Sequence, residues 1–213
     1  MRRVPWMLVV VAAAFTTGGA SAGESGGHAA QLSGIAPPVL GKAVDVRVVS
    51  GAVRVRTRGS DRVVALESAK RIPVGSTVDA RLGTAELTSA AGKTGGTQRG
   101  RFSGAVFVVA QSKSDPLTEL SLKGGNLSAC SRLPGGGAAR VHRRRLSSSV
   151  HGSFRTRGRN AAATARGTKW TMTDTCSGTL TVVQRGTVDV RDLAKRTTVV
   201  VHEGKSYMAR PPG

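Results

Sequence analysis

Histidine is the side chain best suited to hold a metal or move a proton near neutral pH, and the sequence has four of them, His28, His142, His151 and His202. They are scattered, with no H-E-x-x-H and no pair four residues apart that would set two imidazoles on one helix face. The seven aspartates and five glutamates include no close motif pair of the kind that shares acid and base roles in glycoside hydrolysis. Asp79 and Asp189 sit at alternating positions within strand-like stretches and read as solvent-facing partners for nearby arginine. No G-x-S-x-G elbow exposes a nucleophilic serine. Gly92-Lys93-Thr94-Gly95-Gly96 has the composition of a phosphate loop, but a Walker motif needs G-x4-G-K-[ST] complete, between a strand and a helix. These residues predict a protein that is not an enzyme, with no catalytic residue, no metal and no small-molecule cofactor.

The chemistry that is present is cationic. The formal charge is +20, and no acidic residue occurs between Leu120 and Thr173. That stretch holds Arg140, Arg143, Arg144, Arg145, Arg155, Arg157 and Arg159, together with other arginines and lysines. Such a segment attracts polyanions; the alternative is a solvated, charge-rich surface that serves solubility. Base recognition in single strands uses aromatic platforms, and the segment has only Phe154 ahead of Trp170, so nucleic acid is expected to bind non-specifically if at all. Neutralising Arg143, Arg144 and Arg145 together is expected to weaken polyanion binding and leave the fold intact.

The ends and the cysteines bound where such a chain works. Arg2 and Arg3 precede the apolar run Val4 to Phe15, which gives way to Ala20-Ser21-Ala22; this is the layout of a cleavable signal peptide over residues 1–22. The run is shorter than the roughly 20 apolar residues of a membrane span, and no later stretch is longer, so no transmembrane segment is expected and the protein reads as secreted or extracytoplasmic. Cys130 and Cys176 are the only cysteines, and an even pair in an exported chain is most simply a disulfide; two unpaired buried thiols are the alternative.

The elements that position these residues are strands. From about Gly41, apolar residues recur at every second position in short segments separated by glycine: Asp45 to Val49, Ala52 to Thr57, Arg62 to Leu66, Thr84 to Thr88, Ala105 to Ala110 and Leu117 to Leu122. Further on, Lys169 to Thr173, Thr179 to Gln184, Thr187 to Arg191 and Thr197 to His202 repeat the pattern. Period-two alternation rich in Val and Thr predicts an all-β fold. Glycine precedes an alternating segment at Gly51, Gly83, Gly104 and Gly186, which reads as a loose repeat of turn then strand. With few aromatics, the short stacked strands are read as β-solenoid-like or sandwich-like, with one disulfide. Residues 23–40 read as a linker, 41–125 as an N-terminal β subdomain, 126–153 as a basic exposed loop, and 154–213 as a C-terminal β subdomain.

In the second half, Arg166-Gly167-Thr168-Lys169-Trp170, Ser177-Gly178-Thr179, Arg185-Gly186-Thr187-Val188-Asp189-Val190 and Glu203-Gly204-Lys205 resemble the C-terminal part of the FecR domain. Ile72 to Ala80 followed by Leu82 to Leu87 is similar to that family's earlier region. The family turn motif falls on Arg166, Gly167, Thr168 and Trp170, with Ser177-Gly178-Thr179 in place of the family's D-G-T. The resemblance implies an exported β module that binds an envelope protein or polymer. The family's signalling role needs a cytoplasmic segment and a membrane helix, neither of which is expected here. Trp170 alternates with Met172 and reads as a packing residue. Two functions follow: a non-catalytic FecR-like module for a protein or envelope partner, or a basic protein that grips an anionic polymer such as teichoic acid, lipopolysaccharide or extracellular nucleic acid.

Overall fold

The computed structural model describes residues 36–127, Cys130 and residues 143–212. Expectations for the signal peptide, for most of the linker and for Arg140 lie outside these residues. The described chain is all-β, in fifteen strands: β1 (Ala43–Arg56), β2 (Val63–Ala65), β3 (Lys70–Pro73), β4 (Thr77–Ala90), β5 (Thr97–Ser103), β6 (Val106–Gln111), β7 (Thr118–Lys123), β8 (Arg144–His151), β9 (Ser153–Arg157), β10 (Ala161–Arg166), β11 (Lys169–Thr175), β12 (Gly178–Arg185), β13 (Thr187–Asp192), β14 (Thr198–His202) and β15 (Ser206–Ala209). The last residues of the expected linker are anchored: Pro38 and Leu40 are buried, and Ala36 O accepts a hydrogen bond from Arg71.

The strands form one nearly closed, barrel-like sheet that branches at β4. Along one edge β4 pairs with β1, which carries β2 and β3 on its far side. On its other edge β4 pairs first with β6, at Thr77–Asp79, and then with β5, at Thr84–Ala90. From β6 one wing runs through β7, β9, β10 and β13 to β14; from β5 the other runs through β8, β11 and β12 to β15. Among the described ladders all are antiparallel except β7 with β9, so the strands curl into one sheet and are not coils stacked in parallel.

The core lies between the wings and explains the alternation. Phe102 of β5 packs against Phe107 of β6, ring centroids 5.9 Å apart, and against Phe154 of β9 at 5.6 Å. All three are fully buried, as are Trp170, Leu120 and Leu146. The phenylalanines thus cluster where the wings meet, and the alanines of β10 are buried as well.

Three expectations need correction. Residues 126–153 are not one exposed loop: 144–151 form β8, paired on both edges, with β5 and β11, because Leu146, Ser148 and Val150 alternate inward. The halves 41–125 and 154–213 are not separate subdomains, since β5 with β8 and β7 with β9 join them into one sheet. Gly51 and Gly83 are not turns. They face each other in the middle of two 14-residue strands, where a Cβ on either would run into the partner backbone. The register shifts nearby, and such bulges let a long strand bend.

Candidate anion-binding surface

Along β8, inward Leu146, Ser148 and Val150 leave Arg145, Ser147, Ser149 and His151 on the outer face. Arg144 shares the parity of Leu146, so it points to the inner side at the end of the strand. There its Nε donates to the Asp174 carboxylate at 2.7 Å; the two side chains are 18% and 0% exposed. Asp174 also accepts from Arg159 N at 3.0 and 3.1 Å and from the Thr179 hydroxyl. Arg144 is therefore a structural cation that satisfies a buried carboxylate and helps fix the β9–β10 turn.

Arg143 and Arg145 behave differently. With Lys123, Arg81 and the paired Arg144 they line an open depression of about 390 Å³ that also includes Gly104, Gly124 and Gly125. Gly104 has φ of 91°, and a Cβ there would sit 2.8 Å from Arg145 O, so glycine is what lets the β5–β6 turn lie against β8. Arg81 is committed to Asp79, Nη2 to Oδ2 at 2.7 Å, and its hydrogen bond holds the Asp79 carboxyl below the ordinary carboxylate value. Arg143, Arg145 and Lys123 have no carboxylate within ion-pair distance among the described residues.

The remaining sequence-predicted cations lie elsewhere. Arg155 and Arg157 are on β9, in the other wing. Arg155 donates to Thr164 Oγ1 at 2.9 Å and approaches Glu119 at 3.5 Å, and Arg159 donates to Leu127 O at 3.1 Å. Of the two aspartates expected to face arginine, Asp79 does so; Asp189 is exposed with no ion pair among the described residues.

A second depression of about 380 Å³ opens at the other end of β8, lined by Arg99, Arg101, His151 and Ser149 with Glu86 at its side. Glu86 is held by Arg47 at 2.7 Å and Arg101 at 3.0 Å. Burial alone would push its carboxyl up, but the two arginines outweigh this and bring it below the ordinary value. Arg81, Arg99, Arg101 and Lys123 were not among the expected site residues. Arg99 and Arg101 were legible as the outer positions of a Gln98-Gly100-Phe102 alternation, had that polar segment been read as a strand.

The family turn motif is structural. Trp170 is fully buried, and its Nε1 donates to Thr156 Oγ1 at 2.9 Å. Thr168 is buried and its backbone carbonyl accepts from Val150 N at 2.9 Å, while Gly167 makes the turn with φ of 66°. No protein-family model, curated protein or solved structure matches this chain. The resemblance to FecR domains thus rests on these turn and core residues alone.

The disulfide Cys130–Cys176 is formed, with Cα atoms 5.2 Å apart. It ties residue 130 to the β11–β12 turn, two residues from Asp174. Among the described residues no helix is long and apolar enough to cross a membrane.

Proposed function

We propose that this protein is an exported, non-catalytic β module that binds an anionic polymer of the cell envelope at the depression beside the start of β8. The observation that carries this reading is that five cations line one recess and that three of them, Lys123, Arg143 and Arg145, have no carboxylate within ion-pair distance among the described residues, while Arg81 and Arg144 are paired. Guanidinium groups suit phosphate and carboxylate because they donate in a planar fork. Charge gathered in a concave site concentrates anions there.

The protein-partner reading keeps one feature in its favour. Leu82 is 76% exposed beside Ala52 and Arg54, an apolar point of the kind that anchors interfaces. The FecR-like motif residues do not add to that surface, since Thr168 and Trp170 are buried.

Salt separates the two readings. Residues 23–213 are retained on the native envelope fraction and eluted with a salt gradient, beside the variant Lys123→Gln/Arg143→Gln/Arg145→Gln. Elution of the variant at clearly lower salt supports the depression as the binding site. Equal elution of both proteins, at high salt, refutes it and favours an apolar protein contact around Leu82.

A further inference from the structure

Strand β8 joins the two depressions. Arg145 and Ser147 line the first, and Ser149 and His151 line the second. These four residues are successive outward positions of one strand. At about 3.4 Å per residue the line from Arg145 to His151 is about 20 Å long.

The neighbouring strands flank this line in register. Arg101 of β5 and Lys169 of β11 are the cross-strand partners of Ser149 on either side, and Arg99 is the partner of His151. Strands lie about 4.8 Å apart, so Arg101 and Lys169 stand about 10 Å apart across the serine. Between the cations, the floor is made of small, half-buried hydroxyl side chains, Ser147 and Ser149. Glu86, beside Arg101, is neutralised by its two arginines and is 6% exposed.

We infer that the outer face of β8 is a linear track for an extended, flexible phosphate polymer, entered at the Arg143/Arg145 end and continued to Arg99 and Lys169. The inference rests on the anionic-polymer reading above. Three features give it this form. The cations flank one strand along its length, Arg145 on β8 itself and Arg99, Arg101 and Lys169 on the strands to either side, which suits a chain that extends and does not suit a compact anion. The serine hydroxyls supply donors between the guanidiniums, and a phosphate group has oxygens to accept from both. No aromatic side chain stands on the track to stack a base, so the repeating charge of the polymer is what the surface reads.

The test uses residues 23–213 and linear inorganic polyphosphate in two length classes: chains short enough for one depression, and chains longer than the track of about 20 Å. Binding is followed by calorimetry across a salt series. The variants are Arg99→Gln/Lys169→Gln at the far end and Lys123→Gln/Arg145→Gln at the near end, all solvent-exposed or rim positions; an unchanged melting temperature confirms that each variant is folded. The wild type is expected to bind long chains more tightly than short ones at equal phosphate concentration. The far-end variant should lose this length advantage, with a salt slope for long chains shallower by about 1.4, or about 0.7 per lost contact, and keep its short-chain affinity. The near-end variant should lose affinity for both classes.

Length-independent binding, or a far-end variant indistinguishable from wild type, overturns the track and leaves the first depression standing. Equal binding of polyglutamate of matched charge overturns the phosphate assignment. Failure of the wild type to bind any polyanion overturns the track and the proposed function together.

Discussion

Replacing Arg144 with glutamine separates a cation that holds the fold from the cations that face solvent. Arg144 is 18% exposed and its partner Asp174 is fully buried, with Arg159 N and the Thr179 hydroxyl as its other donors. Removing one partner of a buried ion pair costs about 3–5 kcal/mol, because the remaining charge stays desolvated. The residual exposure of Arg144 and the two surviving donors place this case at the low end, about 3 kcal/mol. For a domain of this size that lowers the melting temperature by about 6–12 °C. The assay is thermal unfolding followed by circular dichroism with the disulfide intact, comparing Arg144→Gln, Asp174→Asn and the double variant. The double variant should recover part of the loss, since an amide at position 174 can still accept from Arg159 N without carrying an unpaired charge. If Arg144→Gln melts within about 2 °C of wild type, Arg144 is a surface cation after all and belongs with Arg143 and Arg145 as a binding residue. The same reasoning corrects the expectation that Arg143, Arg144 and Arg145 are neutralised together without harm to the fold.

Other expected outcomes follow from the same geometry. The Lys123→Gln/Arg143→Gln/Arg145→Gln variant should keep its melting temperature, and its plot of log affinity for a single-chain polyanion against log salt should be shallower by about 2. Asp79, Glu86 and Asp192 all have carboxyls held below the ordinary value, so the stability they contribute is complete above the ordinary carboxylate range and lost as pH falls through their lower folded values. A melting-temperature profile should fall on acidification below about pH 4, and less steeply in Asp192→Asn. Replacing Cys130 and Cys176 with serine removes a bridge across 46 residues, worth about 4 kcal/mol by loop-closure entropy, and should lower the denaturant midpoint accordingly. Tyr207→Phe deletes the hydroxyl that donates to Asp192 Oδ2 at 2.9 Å; hydrogen exchange in β13 and β15 should accelerate before that in β5 or β8.

The class of fold was legible because Val and Thr alternate so regularly; Val188 and Val190, for example, are buried between exposed Thr187, Asp189 and Arg191. Less legible were strands in which polar or small residues take some of the inward positions. β5 turns Gln98 and Gly100 inward, and the Gln98 side chain is satisfied there by Pro116 O, Thr118 Oγ1 and Ser153 N. β8 turns Ser148 inward, and β10 is mostly alanine. Such inward groups weaken the hydrophobic alternation, and their pairing depends on strands far away in sequence. The candidate site shows the same division. The basic character of the region is legible directly and marks Arg143 and Arg145. Lys123 lay in the same acid-free stretch, whereas Arg81, Arg99 and Arg101 come from strands brought alongside only by the tertiary register. Arg144 looked like its neighbours because three consecutive arginines hide the one-residue parity that sends the middle one inward.

The parallel pairing of β7 with β9 bears on how this chain acquires its shape. Between those two adjacent strands the chain leaves for the opposite wing, forms β8 between β5 and β11, and turns at Gly152 to return. Residues up to Lys123 therefore lack the neighbours that complete β5 and β7 until the segment 144–157 is available. Sheets built from such distant pairings form in milliseconds to seconds, far more slowly than local hairpins. The first half of the chain therefore cannot close into a finished sheet while the rest is still being synthesised.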